Sequence, residues 1–438
     1  MVVAPLTRNK FFAVTSIVTA ISLLGSFINF VAQAVLAFRF GTSSAVDAYT
    51  YALSLPLFLS GLIGIIISYT AVPAMAKSSA TASSLNDIGN ALSFLLLWSA
   101  FLFGVVGLTA GLWQPVILPA PNSLVAFPRL PLLITLSWIV GAIQILVALT
   151  AAQLNASGRP IVAAMLGLPT NLVTIFVLLF AARGNIAFAT AGMAAGAAVS
   201  AIAGFWFARA KLLPPRRVVW GRDGLATRHP VSALWASVAL SCFASYAIVD
   251  AIWASRVGEG ALASMGYAHR IIIGLGSLVV AGPSALFVPR FAVLVETGQG
   301  AQFRRLLFAA LGFTAAFGGL LAACMYVFAE LIVRILFERG AFGSSASAVV
   351  ADVLRHMAPG MLAMLFSVIT MRALFCLSAS ERAAAVMGVS FTCSYAIFSY
   401  FFLENGIVGI ATAYSISWIG FFAMLFSYVI WRSGQFGK

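Results

Sequence analysis

Ionisable residues interrupt otherwise apolar stretches of the sequence, among them Asp47, Asp250, His269 and Arg270. A charge at mid-membrane depth costs at least about 2.5–3.5 kcal/mol, so each needs a physical reason to be there. Arg270, in Tyr267-Ala268-His269-Arg270, presents a planar fork of donors that suits a phosphate or pyrophosphate; the alternative is an arginine snorkelling to the headgroups. Asp250, in Val249-Asp250-Ala251-Ile252-Trp253, is expected at a similar depth from the same face, where it either pairs with Arg270 or binds a coupling ion, Na+ or a proton. His269 lies about 100° around a helix from its neighbour Arg270, as a packing residue or a pH-sensitive neighbour at a substrate site. Asp47 follows Phe40-Gly41-Thr42-Ser43. It suits either the N-terminal cap of the helix it opens or a hydrogen bond to a substrate headgroup. Arg372 is expected to snorkel or to bind helix-end carbonyls.

Covalent chemistry has no carrier in this sequence. It contains no GxSxG, HExxH or Walker-type phosphate loop, and its three histidines, His229, His269 and His356, are scattered. Cys242, Cys324, Cys376 and Cys393 form no CxxC pair and read as small packing residues. The expectation is a non-enzyme with no metal and no cofactor beyond a coupling ion, drawing any uphill work from ion or substrate gradients.

The elements that hold these residues follow from composition. Of 438 residues, 62% are hydrophobic and 8% charged, with a mean hydropathy of +1.06. Soluble domains are about 25% charged, so a soluble enzyme, a disordered chain and a disulfide-stapled secreted protein are excluded. Apolar runs longer than about 20 residues without alternation exclude a transmembrane β-barrel. The pattern predicts an all-α polytopic membrane protein with twelve spans: 11–38, 48–75, 89–113, 130–154, 160–182, 186–208, 231–255, 264–289, 304–328, 350–377, 383–403 and 407–431. The first run is too long for a signal peptide. The net charge of +14 reads as a topology signal rather than a nucleic-acid footprint. Most Lys and Arg fall on one set of loops if both termini are cytoplasmic.

The halves of the chain resemble each other. Tyr51-Ala52 recurs as Tyr267-Ala268 and Val72-Pro73 as Val288-Pro289 at the same offset, and Leu154-Asn155-Ala156-Ser157-Gly158-Arg159 resembles Leu377-Ser378-Ala379-Ser380-Glu381-Arg382. The offset spans six helices, which predicts two parallel six-helix lobes, 1–208 and 231–438, around a central cavity. They are joined by a basic cytoplasmic linker, 209–230. Pro56, Gly61 and Gly64 in the second span, with Gly274, Gly276, Gly282 and Pro283 in the eighth, are expected to interrupt equivalent helices as bending points. Close helix packing is the alternative.

Several motifs resemble those of the MurJ-type (MviN) lipid II flippases, within the multidrug/oligosaccharidyl-lipid/polysaccharide exporter superfamily. They are Phe40-Gly41-Thr42-Ser43-Ser44-Ala45-Val46-Asp47-Ala48-Tyr49 with Leu55-Pro56, Ser264-Met265-Gly266-Tyr267-Ala268-His269-Arg270, Val288-Pro289-Arg290, and Leu336-Phe337-Glu338-Arg339-Gly340-Ala341-Phe342. Asn155-Ala156-Ser157-Gly158-Arg159-Pro160 with Asn171 resembles the start of that family's fifth helix. This chain departs from the family's charged set at Ser26, Ala32 and Ser60, where arginines are usual, and at Ile273, where an acid is usual. Ser394 stands near a common asparagine, and the chain has two helices fewer than the family's fourteen. The resemblance implies a bacterial inner-membrane protein moving a polyprenyl-(pyro)phosphate-linked saccharide (lipid II or a related envelope precursor) outward by alternating access. Arg270, Asp47 and His269 would contact the substrate and Asp250 would take the coupling ion. Membrane lipids and cell-envelope biosynthesis enzymes are the implied partners, with no nucleic acid. Two alternatives differ in class: a cation-coupled multidrug or small-molecule antiporter, and a non-transporting scaffold for polysaccharide assembly.

Overall fold

The computed structural model describes residues 8–77, 82–181, 184–208, 230–377 and 380–435, with the backbone alone at 8–15, 68–77, 82–96, 156, 230–233 and 281–286. The basic linker and the Ser378-Ala379 part of the repeated motif therefore lie outside the described residues. Among those described there is no strand. Eleven helices are long and apolar enough to cross a membrane, or twelve if one bent pair counts as a single span. Large apolar side chains such as Phe27, Leu112, Val116, Phe180 and Phe401 stay exposed, as suits lipid contact. The chain forms two compact units, Met1–Phe40 with Ala48–Ser237, and Gly41–Asp47 with Val238–Lys438.

The first unit carries α1 (Arg8–Phe40), α2 (Ser44–Lys77), α3 (Ala82–Ile117), α4 (Asn122–Val125), α5 (Leu130–Ala156), α6 (Pro160–Met165), α7 (Leu168–Phe180) and α8 (Ala187–Ala208). A buried polar chain ties α2, α3 and α5 together. Trp138 Nε1 donates to Gln114 Oε1 at 2.8 Å, Gln114 Nε2 donates to the Tyr51 carbonyl, and the Tyr51 hydroxyl donates to the Leu118 carbonyl. The predicted fifth span is found as Pro160–Phe180, with a turn at Leu166 and Gly167 that keeps right-handed helical backbone angles. Pro169 explains the turn: it has no N–H for the carbonyl four residues earlier, that of Met165, where α6 ends.

Helix α8 packs on α5 and α7 along a ridge of small residues, Gly192, Gly196, Ser200 and Gly204. Without hydrophobic drive between helices in lipid, such ridges let backbones approach until dispersion contacts and hydrogen bonds take over. A Cβ on Gly196 would lie 2.7 Å from both Cα and O of Thr170. At the same crossing the Thr170 and Ser200 hydroxyls are 3.3 Å apart.

The second unit carries the rest of α9 (Pro230–Ser241), then α10 (Tyr246–Trp253), α11 (Ala261–Glu296), α12 (Gly300–Val327), α13 (Ala329–Phe337), α14 (Ser344–Cys376), α15 (Glu381–Phe401) and α16 (Gly406–Ser433). The long helix α14 is its centre, packing on α11, α12, α13 and α16. Phe243, Phe391, Trp418 and Phe421 form an aromatic core beside it.

The bending points differ from those expected. Helices α2 and α11 run on through their glycines and prolines, whereas the seventh span, predicted as continuous over 231–255, bends by 46° between Ala244 and Tyr246. A short 3-10 turn, Cys242–Ala244, fills the bend. The Ser245 hydroxyl lies 2.7 Å from the Cys242 carbonyl, to which it donates, and 2.8 Å from the Thr392 hydroxyl. The Cys242 carbonyl thus accepts from both the hydroxyl and, at 3.2 Å, the amide of Ser245 where the α-helical ladder is interrupted.

Replacing Gly196 tests the α7–α8 crossing, because the obstructing atoms are backbone and cannot yield. Gly196→Val is expected to lower stability by about 1–3 kcal/mol, measured by thermal unfolding in detergent. Gly319→Ala, at a helical site with nothing within 4 Å of an added Cβ, is expected to be neutral or slightly stabilising.

Candidate functional site

Asp47 lies in the first turn of α2, but it caps another helix. Its Oδ2 accepts from the Gly260 amide at 2.6 Å and its Oδ1 from the Ala263 amide at 2.7 Å. These are the N-cap and third residues of α11. The expected cap of its own helix is thereby corrected: both oxygens reach the orphan amides and positive dipole end of α11 instead. Gly260 holds a left-handed φ of 78°, and a Cβ there would strike the Thr42 carbonyl.

Further contacts dock the 41–47 segment within the same unit. The Ser44 amide donates to Glu259 Oε1 at 3.1 Å and the Tyr267 hydroxyl to the Gly41 carbonyl at 2.9 Å. Gly41, at φ 60°, leaves no room for a Cβ, which would sit 2.5 Å from the Ala341 carbonyl oxygen. The Tyr267 ring packs on Phe337 and Phe342. Three motifs far apart in sequence, around Gly41, Tyr267 and Ala341, therefore meet at one junction.

About two turns into α11, the adjacent histidine and arginine diverge. His269 Nε2 lies 2.8 Å from Asp250 Oδ2, and the Tyr395 hydroxyl donates to Asp250 Oδ1 at 2.5 Å. Asp250 and His269 are both 3% exposed. The Asp250–Arg270 pairing allowed by the sequence is not what forms. The angular offset between neighbouring residues turns His269, not Arg270, towards α10. The His269 ring stacks on Tyr246, 4.1 Å between centroids, and meets Tyr414 edge-on at 5.0 Å. Its Nδ1 is buried with no hydrogen-bond partner. Tyr395, Tyr246 and Tyr414 carry no signature in sequence, being aromatics in apolar spans. The one hint is that a buried tyrosine needs a partner for its hydroxyl.

Arg270 is half-buried and makes no hydrogen bond or ion pair with any described residue. Arg372 is exposed. In the first unit, Ser26 is exposed and donates to the Ser22 carbonyl, Ala32 is buried, and Ser60 donates to the Leu57 carbonyl. Pro56 is buried and Gly64 lies against Ala148, while Gly61 and Gly274 have nothing within 4 Å of an added Cβ. Gly276 receives Leu365 and Met364 from α14. For Gly282 and Pro283 only the backbone is described.

The sequence model of the lipid II flippase MurJ family matches residues 36–437. This chain belongs to that family. A curated relative, the probable lipid II flippase MurJ of Rhizobium meliloti (strain 1021), is 29% identical over 182 residues, 41% of this chain and 34% of that protein. The match thus spans about a third of the relative's length. Among solved structures, a lipid II flippase MurJ in an inward closed conformation superposes with a TM-score of 0.73 at 17% identity, covering 95% of this chain and 87% of the other. An inward-facing multidrug resistance MATE family transporter of the MOP superfamily gives 0.77 at 12% identity, covering 96% and 98%. These two likenesses establish a shared fold.

The junction at the start of α11 makes a direct prediction. Asp47→Ala leaves two amides of α11 without their acceptor and is expected to cost about 1–2 kcal/mol. Gly260→Ala adds left-handed strain and a clash with Thr42, and should cost at least as much. Thermal unfolding in detergent reads both; unchanged midpoints would mean that the cap contributes nothing.

Proposed function

We propose that this protein is a flippase of the bacterial inner membrane. It moves a polyprenyl-(pyro)phosphate-linked saccharide from the inner to the outer leaflet by alternating access, without making or breaking covalent bonds. The observation that carries this reading is Arg270, a half-buried cation in a membrane span with no partner among the described residues. An intramembrane arginine with no partner among the described residues suits an anion supplied from outside the protein. A bidentate fork matches phosphate oxygens. Membership of the lipid II flippase family supports the same substrate class.

In this reading Arg270 holds the phosphate or pyrophosphate. Asp47 acts through α11 as a positioning residue, since both its oxygens already accept backbone amides. Asp250 takes the coupling ion. A proton suits it better than Na+, because each carboxylate oxygen already has a protein group against it, His269 Nε2 on one side and the Tyr395 hydroxyl on the other. Sodium would need oxygen ligands in their place. A proton shared between Asp250 and His269 needs no new ligand. The groups facing this pair are Tyr246, Tyr395 and Tyr414. Both termini would be cytoplasmic, as the loop charges indicate.

A small-molecule antiporter is the second reading, favoured by the MATE-like fold and by the serines and alanine at Ser26, Ala32 and Ser60. The two are separated by expressing the protein in a bacterium depleted of its lipid II flippase, with membrane levels verified. Growth is expected to be restored, to be lost with Arg270→Ala and to be partly kept with Arg270→Lys. Rescue undiminished by Arg270→Ala would overturn the phosphate clamp. No rescue, with drug efflux in its place, would favour the antiporter.

Coupling is read separately, as flipping in proteoliposomes under imposed gradients. The rate should respond to a pH gradient and not to a sodium gradient, and Asp250→Asn and His269→Gln should each remove the response. A sodium response would overturn the proton assignment.

A further inference from the structure

Within the second unit, the hydrogen-bond ladder of α14 is interrupted at Pro359, which has no N–H to offer the Arg355 carbonyl. At the next ladder position a side chain from another helix steps in. The Ser415 hydroxyl of α16 accepts from the Gly360 amide at 3.0 Å and donates to the His356 carbonyl at 2.5 Å. These are the two groups that an α-helix pairs with each other. A proline and an inserted side chain are both causes of helix bending, and here they act at consecutive residues. The approach is close because residue 360 is glycine. A Cβ there would lie 2.7 Å from Ser415 Cα and 2.9 Å from Tyr414 Cδ1.

Ser415 differs from the hydroxyls around it. Those of Thr412 and Ser417 on α16, and of Ser367 and Thr370 on α14, donate to carbonyls four residues back in their own helices. Ser415 gives its one proton to α14 instead. The residue before it extends the grip: the Tyr414 hydroxyl lies 3.5 Å from Met364 Sδ, one turn beyond Gly360. The same Tyr414 ring meets His269 edge-on, 5.0 Å between centroids. A single turn of α16 therefore touches the Asp250–His269 pair with one residue and the interrupted ladder of α14 with the next.

The pair can act on that turn. His269 Nδ1 is buried without a hydrogen-bond partner among the described residues, which suits a neutral ring. A proton taken up by the pair as an imidazolium puts an N–H on both ring nitrogens. The titratable groups facing the pair are Tyr246 from α10, Tyr395 from α15 and Tyr414 from α16, with Arg270 of α11 near enough for its charge to act on Tyr246. A cation is attracted to aromatic faces as a neutral imidazole is not.

We infer that Ser415 is a positioning residue of the proton site: the Tyr414–Ser415 turn joins the charge state of Asp250–His269 to the opening of α14 at Pro359. The inference rests on the proton assignment made above and adds to it the route from proton to helix. A charged His269 draws on Tyr414, and any shift of Tyr414 moves Ser415 between the His356 carbonyl and the Gly360 amide.

The test is amide hydrogen exchange of the α14 segment around Pro359, on the full-length protein in lipid nanodiscs at acid and at neutral pH. Rates are corrected for the intrinsic pH dependence of exchange. Protection is expected to differ between the two by about threefold to tenfold, the scale of one hydrogen bond made or lost. Asp250→Asn and Ser415→Ala should each abolish the difference. Ser417→Ala, which removes an equally buried hydroxyl of the same helix, should leave it intact. Tyr414→Leu, which removes the ring from His269, should also abolish it, and decides the matter if Ser415→Ala does not assemble. A difference lost in Asp250→Asn but kept in Ser415→Ala and Tyr414→Leu would overturn the link and leave the proton site standing. A difference that survives Asp250→Asn but is lost in His356→Gln would overturn it too. The titration would then belong to the exposed imidazole of α14, whose Nδ1 lies 2.8 Å from the Asp352 carbonyl. Equal protection at both pH values would overturn the link, and the response of flipping to a pH gradient would then judge the proton assignment alone.

Discussion

A carboxylate facing a helix N-terminus gains twice, from hydrogen bonds to amides that have no partner within the helix and from the positive end of its dipole. Asp47 collects both gains at the start of α11, with one oxygen on Gly260 and the other on Ala263. Much of the second unit's functional geometry follows from that contact. It fixes the register at which α11 begins, and so the direction in which Tyr267, His269 and Arg270 leave the helix. It also accounts for two glycines. Gly260 must take the left-handed turn that aims its amide at the carboxylate, and Gly41 must let the chain pass the Ala341 carbonyl.

From that anchored start, α11 divides its polar residues by angle. Tyr267 returns to the junction, His269 turns inward to Asp250, and Arg270 makes no hydrogen bond or ion pair with any described residue. The three consequences differ in kind. Tyr267 and His269 Nε2 meet groups inside the protein, while His269 Nδ1 is buried without a hydrogen-bond partner among the described residues. An arginine in a membrane span is costly unless it meets an anion or reaches water. Burial of Asp250 and His269 is tolerable because each meets an opposite or hydrogen-bonding group at close range. A lone member of the pair would be expensive.

The first unit is organised differently. Its buried polar groups, Gln114, Tyr51, Trp138, Thr170 and Ser200, serve to join helices. Its close approaches come from the small-residue ridge of α8. Among the described residues of this unit, the buried side-chain atoms left without a hydrogen-bond partner are Gln153 Oε1 and Thr190 Oγ1, both neutral.

The amino-acid sequence by itself determined the class and the list of parts. Its hydropathy dictated an all-helical membrane protein with eleven or twelve spans, because apolar length is a local property that needs no partner to be read. Its motifs identified the family and marked Asp47, Asp250, His269 and Arg270 as costly residues in need of a reason. Tertiary structure alone decided what the reasons are. Asp47 caps α11 rather than α2, Asp250 meets His269 and Tyr395 rather than Arg270, and the bend falls in the seventh span rather than in the second and eighth. Tyr395 and Tyr246 were illegible as site residues because an aromatic in an apolar run looks the same whether it meets lipid or a carboxylate. Partners lie up to 226 residues apart along the chain, and a hydrogen bond depends on direction and distance in space, which local composition does not encode.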